Sequence, residues 1–211
     1  MAAMRRKGIS QPRVVMINGS PTDSNSKPYK DGALSVFKRQ GATVAKTFDT
    51  PDWSPDKAQT EMEQTITALG KKGFDAVYVA NDGMATGVVA ALKGASIDPG
   101  TRAVTGQDAE VTGIQRVLAG QQLMDVYQPI PKIAATAAEI AVPLAQGKQP
   151  PANITTDKVD NGSGKVPAVL LSTIAITPAN VKSTVVKDGF LTVAQICTPA
   201  YKQARKAHGL Q

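Results

Sequence analysis

Short apolar runs alternate with longer amphipathic segments along most of this chain, an order typical of a parallel sheet with helices packed on it. The runs predicted as strands cover 13–18, 43–48, 75–80, 102–106, 123–130 and 169–176. The helices predicted between them cover 28–40, 55–73, 84–94, 109–119 and 132–146. Because such strand–helix–strand units are right-handed, the sequence predicts an α/β fold, a three-layer Rossmann-like lobe with a parallel sheet.

The composition, with 42% hydrophobic and 19% charged residues, indicates a globular chain rather than a disordered one. Its formal net charge of +7 is concentrated at the ends: residues 1–12 and 187–211 each carry +3, and the residues between them carry +1. A nucleic-acid-binding surface needs clustered cations that displace counterions from phosphates. The sequence therefore predicts basic terminal tails and no nucleic-acid partner.

Polar side chains follow the predicted strands at the end where open parallel sheets bind their ligands. They are Asn18, Ser20, Asp23 and Asn25, then Asp49, Asp52 and Trp53, then Asn81 and Asp82, Gln107 and Asp108, and finally Tyr127 and Gln128. Asn and Asp match sugar hydroxyls, which both donate and accept, and an indole covers the apolar face of a sugar ring. Helix capping by the Asn and Asp residues, and core packing of Trp53, are the alternative interpretations.

The residues that other kinds of site require are scarce. No glycine-rich phosphate loop of either common pattern occurs, and one histidine, His208, gives no visible Ser-His-Asp set. The single cysteine, Cys197, cannot close an internal disulfide, and a rim of amides with an indole suits Mg²⁺ poorly. A Ser20–Lys27 nucleophile–base pair is the remaining catalytic alternative. The sequence therefore predicts a binding protein without cofactor or metal, and not an enzyme.

Five motifs resemble a known family when they are taken together. They are G-S-P-T-D-S-N (19–25), T-P-D-W-S-P-D-K-A (50–58), A-N-D-G (80–83), V-T-G-Q-D-A-E (104–110) and V-Y-Q-P-I (126–130). In this order they resemble the D-xylose-binding proteins of bacterial ABC transporters, which are type I periplasmic sugar-binding proteins. The resemblance runs from about Arg13 to about Phe190 and covers only the C-terminal part of such a protein.

The resemblance implies one of two lobes that close on a monosaccharide such as D-xylose about a hinge and then deliver it to ABC permease subunits. It implies an extracytoplasmic location for a full-length relative, although the basic N-terminus here lacks the apolar stretch of a signal peptide. A sensor domain of a LacI-type regulator and a Rossmann-like small-molecule enzyme are the alternatives.

The resemblance also assigns site residues. It makes Asn25, Trp53, Asn81 and Asp108 sugar contacts, whereas Gln128 stands where the xylose-binding proteins have a lysine that contacts sugar. This difference bears on which pentose is preferred and not on the class of ligand.

The domain organisation is predicted from the same resemblance. The segments are a basic tail (1–12), the C-terminal sugar-binding lobe (13–128), a crossover helix and loop that pack on the first lobe (129–167), a returning strand (168–186) and a second basic tail (187–211). Without that first lobe, the helix at 132–146 exposes an apolar face, which predicts self-association.

Overall fold

The computed structural model of the chain describes residues 1–155 and 157–209. Its strands are β1 (Arg13–Asn18), β2 (Thr43–Asp49), β3 (Ala76–Val79), β4 (Ala103–Val104), β5 (Asp125–Tyr127), β6 (Asp157–Asp160), β7 (Lys165–Ala168) and β8 (Ile174–Ile176). Its helices are α1 (Ala2–Arg6), α2 (Ser26–Arg39), α3 (Pro55–Leu69), α4 (Asp82–Gly94), α5 (Val111–Leu118), α6 (Ile130–Ala145), α7 (Val193–Ile196) and α8 (Lys202–Ala207). The predicted α/β class is confirmed.

The main sheet is parallel and has the strand order β2-β1-β3-β4. Ile17 in the middle strand pairs with Phe48 on one side and with Val79 on the other. After β1 the chain forms β2 on one side of β1, and after β2 it crosses over to form β3 on the other side. Ligands of open α/β sheets bind at such a switch point, beyond the carboxyl ends of the strands. Here that point lies between the loops that follow β1 and β3.

The core lies under α3 and α4. Val15, Ile17 and Val77 are fully buried and belong to one apolar cluster with side chains of these two helices. The helices approach closely because α4 carries Gly87, where an added Cβ would overlap the carbonyl oxygen of Pro55. This contact places the beginnings of α3 and α4 side by side, next to the switch point.

Side-chain caps fix where the helices near the switch point begin. The hydroxyl of Ser54 accepts a hydrogen bond from the Lys57 N–H (3.3 Å), so α3 begins at Pro55 as predicted. Helix α3 ends at Leu69, earlier than the predicted stop near Gly73, because Gly70 adopts a left-handed φ of 71°.

Both ends of the chain contain packed elements. Met4 of α1 is buried against the sheet in a cluster with Val14, and Leu191 and Ile196 are buried near the C-terminus. The basic residues of these segments therefore flank short apolar anchors.

The structure differs from the sequence prediction mainly after β4. The predicted strands 123–130 and 169–176 are short, since only Asp125–Tyr127 and Ile174–Ile176 are extended in ladders. The segment 147–167, predicted as a loop, contains all of β6 and most of β7, which pair as an antiparallel hairpin. Its turn is stabilised by the Asn161 Oδ1, which accepts hydrogen bonds from the N–H groups of Ser163 and Gly164.

The chain divides into two compact units. The first comprises Met1–Val126 with Ala175–Gln211 and holds the main sheet, and the second comprises Tyr127–Ile174 and holds α6 and the β6–β7 hairpin. Across the described ranges, no helix combines the length and the apolar character needed to cross a membrane.

Candidate functional site

The loops after β1, β2, β3 and β4 form one continuous edge of the first unit. We call it the carboxyl edge and define it as residues 19–25, 50–54, 80–81 and 105–110. Four backbone hydrogen bonds join the strand ends: Thr50 N–H to Asn18 O (3.2 Å), Ala80 N–H to Ile17 O (3.1 Å), Asp82 N–H to Gln107 O (3.0 Å) and Asp108 N–H to Val126 O (3.0 Å). The structure therefore brings Asn25, Trp53, Asn81 and Asp108 to the same edge of the sheet.

Trp53 is half-buried at this edge. Its indole Nε1–H donates a hydrogen bond to Asp23 Oδ2 (3.1 Å), which ties the loop after β2 to the loop after β1. The ring lies directly on Gly19, where an added Cβ would overlap three ring carbons. The indole also touches the apolar cluster below α3 and α4, so it packs partly as a core residue and partly as an edge residue.

The turn that carries Trp53 is held in an unusual conformation. Asp52 and Trp53 have φ angles of 62° and 54°, a region that L-residues other than Asn and Asp rarely adopt. The Asp52 N–H donates to Ser20 Oγ (3.2 Å), and Ser20 is buried. Left-handed residues of this kind cost of the order of 1–3 kcal/mol each and persist where the surrounding structure determines them. The contacts to Gly19, Ser20 and Asp23 hold the turn in this conformation.

Asn25 and Asn81 occupy the positions just before α2 and α4. Asn25 is exposed and its side chain makes no capping bond; its backbone N–H donates to Asp23 Oδ1 (2.8 Å). Asn81 does cap its helix, since its Oδ1 accepts from the Met84 N–H (2.9 Å). Among the described residues, no hydrogen bond of the Asn81 NH₂ group accompanies this cap.

Asp108 is half-buried and does not cap α5, because Glu110 takes the capping position. Burial raises the pKa of its carboxyl, as do the charges of Asp82 and Glu110, while a hydrogen bond with Gln107 opposes the rise. Asp108 and Ala109 have φ angles of 92° and 52°. The loops that carry Trp53 and Asp108 thus share the same kind of backbone strain.

Three other residues of the predicted rim have different surroundings. The buried Asn18 joins β1 to β2, because its Nδ2 donates to the carbonyl oxygen of Phe48 (2.6 Å). Asp82 is fully buried and is a partner of Arg116 and Gln122 rather than an edge group. Gln128 belongs to the second unit and is half-buried there.

An apolar cavity of about 250 Å³ lies on one face of the main sheet. Its lining includes Val36, Phe37, Tyr78 and Met124 and no charged side chain. Because sugar hydroxyls need polar partners, this cavity does not suit a saccharide, and the carboxyl edge is the better candidate.

Comparisons with known proteins agree with the five sequence motifs. Residues 1–149 match the family model described as periplasmic binding protein domain. The D-xylose-binding periplasmic protein of Escherichia coli (strain K12) is 39% identical over 186 residues, which are 86% of this chain and 55% of that protein. The multiple sugar-binding periplasmic receptor ChvE of Rhizobium radiobacter is 30% identical over 198 residues, 87% of this chain and 55% of that receptor. The chain therefore spans about half the length of these relatives.

The fold has a solved counterpart in an ABC transporter solute binding protein from Clostridium phytofermentans with bound β-D-glucose. The two are 26% identical with a TM-score of 0.78, and the match covers 93% of this chain and 64% of that one. The prediction of a binding protein rather than an enzyme is confirmed, since these relatives are named as sugar-binding or solute-binding proteins. The resemblance to the xylose-binding proteins is confirmed as well, and the chain belongs to the periplasmic binding protein family, with its type I fold.

Proposed function

We propose that this chain forms one wall of a monosaccharide-binding cleft in the solute-binding component of an ABC-type sugar importer, with D-xylose or a related sugar as the ligand. The observation that carries the proposal is the arrangement of one indole, two carboxamides and one carboxylate on the carboxyl edge. In the full-length protein the cleft closes about a hinge, and the closed form meets the permease subunits outside the cytoplasm. The names of the relatives, which refer to sugars and the periplasm, support this assignment.

Each edge residue has a distinct role in the proposed cleft. The Trp53 ring covers the C–H face of the sugar, because Asp23 and Gly19 fix its orientation. Asn25 and Asn81 donate and accept with hydroxyls, and the Asp108 carboxylate accepts from one or two of them. Gln128, which belongs to the second unit, stays a predicted sugar contact on the basis of the resemblance alone.

A single wall binds sugar weakly. A neutral hydrogen bond contributes about 1 kcal/mol net, so a cleft that lacks three or four of them loses on the order of 3–5 kcal/mol. That loss is a factor of ~100 to 5,000 in affinity, which puts D-xylose binding by this chain in the millimolar range or weaker. Micromolar affinity in titration calorimetry would contradict the one-wall interpretation.

The single tryptophan gives a direct test of the site, because all indole fluorescence of this chain comes from Trp53. We expect D-xylose to change that fluorescence saturably with a millimolar dissociation constant, and Asp108→Ala to weaken binding by at least about tenfold, since a hydrogen bond to a charged group contributes about 1.5–3 kcal/mol. The matched control is Asp188→Ala, which removes an exposed carboxylate near the C-terminus. Equal affinities for the two variants would exclude Asp108 from the site.

Helix α6 is the basis of a second proposal, that two copies of this chain associate. None of its 16 residues is buried, although Ile133 and Leu144, on one stripe of the helix, are 37% and 53% exposed. An apolar helix is normally covered on at least one side. In a longer relative, the part of the protein that this chain does not span would pack on the helix. For this chain alone, a second copy can pack on it.

We expect light scattering after gel filtration to give a dimer or larger species, and Ile133→Glu with Leu144→Glu to shift it to monomer. The control is Ala135→Glu with Ala138→Glu, which adds the same charge to the opposite side of α6. A monomeric unmodified chain would overturn the association proposal.

A further inference from the structure

A group of buried polar side chains lies behind the loop that carries Asp108. Its members are Asp82 at the start of α4, Arg116 in α5, Gln122 after α5 and Asp125 in β5, and each is at most 5% exposed. Buried charges are expensive unless they are paired and hydrogen-bonded, so four such groups in one place indicate a specific role. None of them reaches the carboxyl edge as a ligand contact.

The members satisfy one another. The Arg116 guanidinium donates to the carbonyl oxygen of Asp82 (2.9 Å), to Gln122 Oε1 (2.9 Å) and to Thr86 Oγ1 (2.8 Å). The amide of Gln122 donates to Asp82 Oδ1 (3.0 Å) and to Asp125 Oδ2 (3.1 Å). The Gln122 amide thus bridges the carboxyl groups of Asp82 and Asp125. Such a closed set is rigid, because every group has a fixed partner.

The two carboxyl groups of this set also accept hydrogen bonds from the backbone of the Asp108 loop. The Ala109 N–H donates to Asp125 Oδ1 (3.1 Å), and the Glu110 N–H donates to Asp82 Oδ2 (2.9 Å). The N–H of Asp82 in turn donates to the carbonyl oxygen of Gln107 (3.0 Å). The loop therefore has a buried polar anchor on each side of Asp108, which accounts for the left-handed φ angles at 108 and 109.

Two carboxyl groups cannot both ionise beside each other in the interior without a large cost. Burial raises the pKa of Asp125 to about 9, and the hydrogen bond and charge of Asp82 add to the rise. Asp125 therefore keeps its proton at neutral pH, and Arg116 lies against Asp82, with 3.5 Å between the guanidinium and Oδ1. The other titratable groups nearby are Glu110 and Tyr201, which face Arg116.

We propose that Asp82, Arg116, Gln122 and Asp125 are positioning residues that hold the Asp108 carboxylate in its sugar-binding orientation. This inference rests on the proposed function, because it assigns the network to the same site. It adds that the specificity of the edge depends on side chains that never touch the ligand.

The test compares Asp125→Asn with Asp125→Ala. Asn keeps the Oδ1 acceptor for the Ala109 N–H but loses the Oδ2 acceptor for the Gln122 amide, whereas Ala removes both acceptors. The pair of variants therefore isolates the bond to the loop backbone. We expect Asp125→Asn to bind D-xylose within about twofold of the unmodified chain at pH 7, and Asp125→Ala to lose at least about tenfold. A loss shared equally by the two variants would overturn the inference.

A readout without sugar separates this inference from the proposed function. Amide hydrogen exchange is expected to show a protected Ala109 amide in the unmodified chain and in Asp125→Asn, and an unprotected one in folded Asp125→Ala, because Asp125 is the acceptor of that amide. Unchanged protection in Asp125→Ala would overturn the positioning role even if sugar binds. If D-xylose fails to bind while protection changes as expected, the proposed function is wrong and the loop anchor stands.

The pH dependence is a third readout, and it stays informative if Asp125→Ala does not fold. Between about pH 4, the ordinary pKa of an Asp, and about pH 9, the unfolded chain loses the Asp125 proton and the folded chain keeps it. This carboxyl therefore lowers the free energy of unfolding as the pH rises through that interval. We expect the ¹⁵N shift of Ala109 to titrate near pH 9 and Asp125→Asn to remove both effects. An Ala109 shift that titrates identically in Asp125→Asn would contradict the assignment.

Discussion

Gly113→Ala lowers the free energy of unfolding by about 3–5 kcal/mol, the range measured when one partner of a buried ion pair is removed. Gly113 lies in α5 and is buried against Asp82. An added Cβ would overlap three atoms of the Asp82 carboxyl group. The carboxyl group must then move away from Arg116 and from the Glu110 N–H, and the interior offers no water to replace them.

Urea unfolding followed by circular dichroism measures this effect, with Gly32→Ala as the matched control. Gly32 also lies inside a helix, α2, but an added Cβ there has nothing within 4 Å. Because alanine favours a helix over glycine by about 1 kcal/mol, the control should be slightly more stable than the unmodified chain. Equal stabilities for the two variants would show that the Asp82 network contributes little to the fold.

Gly19→Ala displaces the indole of Trp53 and removes the sugar response of the chain. An added Cβ at Gly19 would overlap Cη2, Cζ2 and Cζ3 of the ring, which is too close for any small adjustment. The ring must leave Gly19, and the hydrogen bond from Nε1 to Asp23 goes with it. We expect the near-ultraviolet circular dichroism of Trp53 to collapse and D-xylose binding to fall below detection.

The control for this variant is Gly94→Ala at the end of α4, where an added Cβ meets nothing within 4 Å. It should keep both the Trp53 signal and the sugar response. A Gly19→Ala chain that still binds D-xylose with unchanged affinity would mean that the indole is not part of the site.

The fold was predictable because the same local sequence pattern repeats along the chain. Apolar runs such as 13–18, each followed by a polar turn and an amphipathic helix, predict the same parallel arrangement many times along the chain. Ser54 followed by Pro55 predicts the start of a helix, and in the structure Ser54 caps α3. The β6–β7 hairpin was missed because its strands have four residues each and are mostly exposed, and Pro167 lies inside β7, so they lack the apolar alternation that marks a strand.

The edge residues were predictable from their place after the strands, whereas the network behind them was not. Asp82 follows a strand as Asp108 does, and sequence reasoning therefore placed both on the rim. The two residues differ because Asp82 has Arg116 as a buried partner. The sequence predicts only that Arg116 lies in a helix. The available signal was its position within α5, where a charged residue stands beside Val117 and Leu118 on an otherwise buried helix. A buried arginine requires a buried anion, and Asp82 is its partner.

The central claim is that the carboxyl edge is a sugar-binding wall, and an NMR titration of the ¹⁵N-labelled chain with D-xylose tests it most directly. We expect progressive, fast-exchange shifts of the amides at 20–25, 52–53, 81 and 108, with millimolar midpoints and no change at Val36, Phe37 and Met124, which line the apolar cavity away from the carboxyl edge. Shifts that cluster at that cavity instead, or none at sugar concentrations far above the millimolar range, would contradict it.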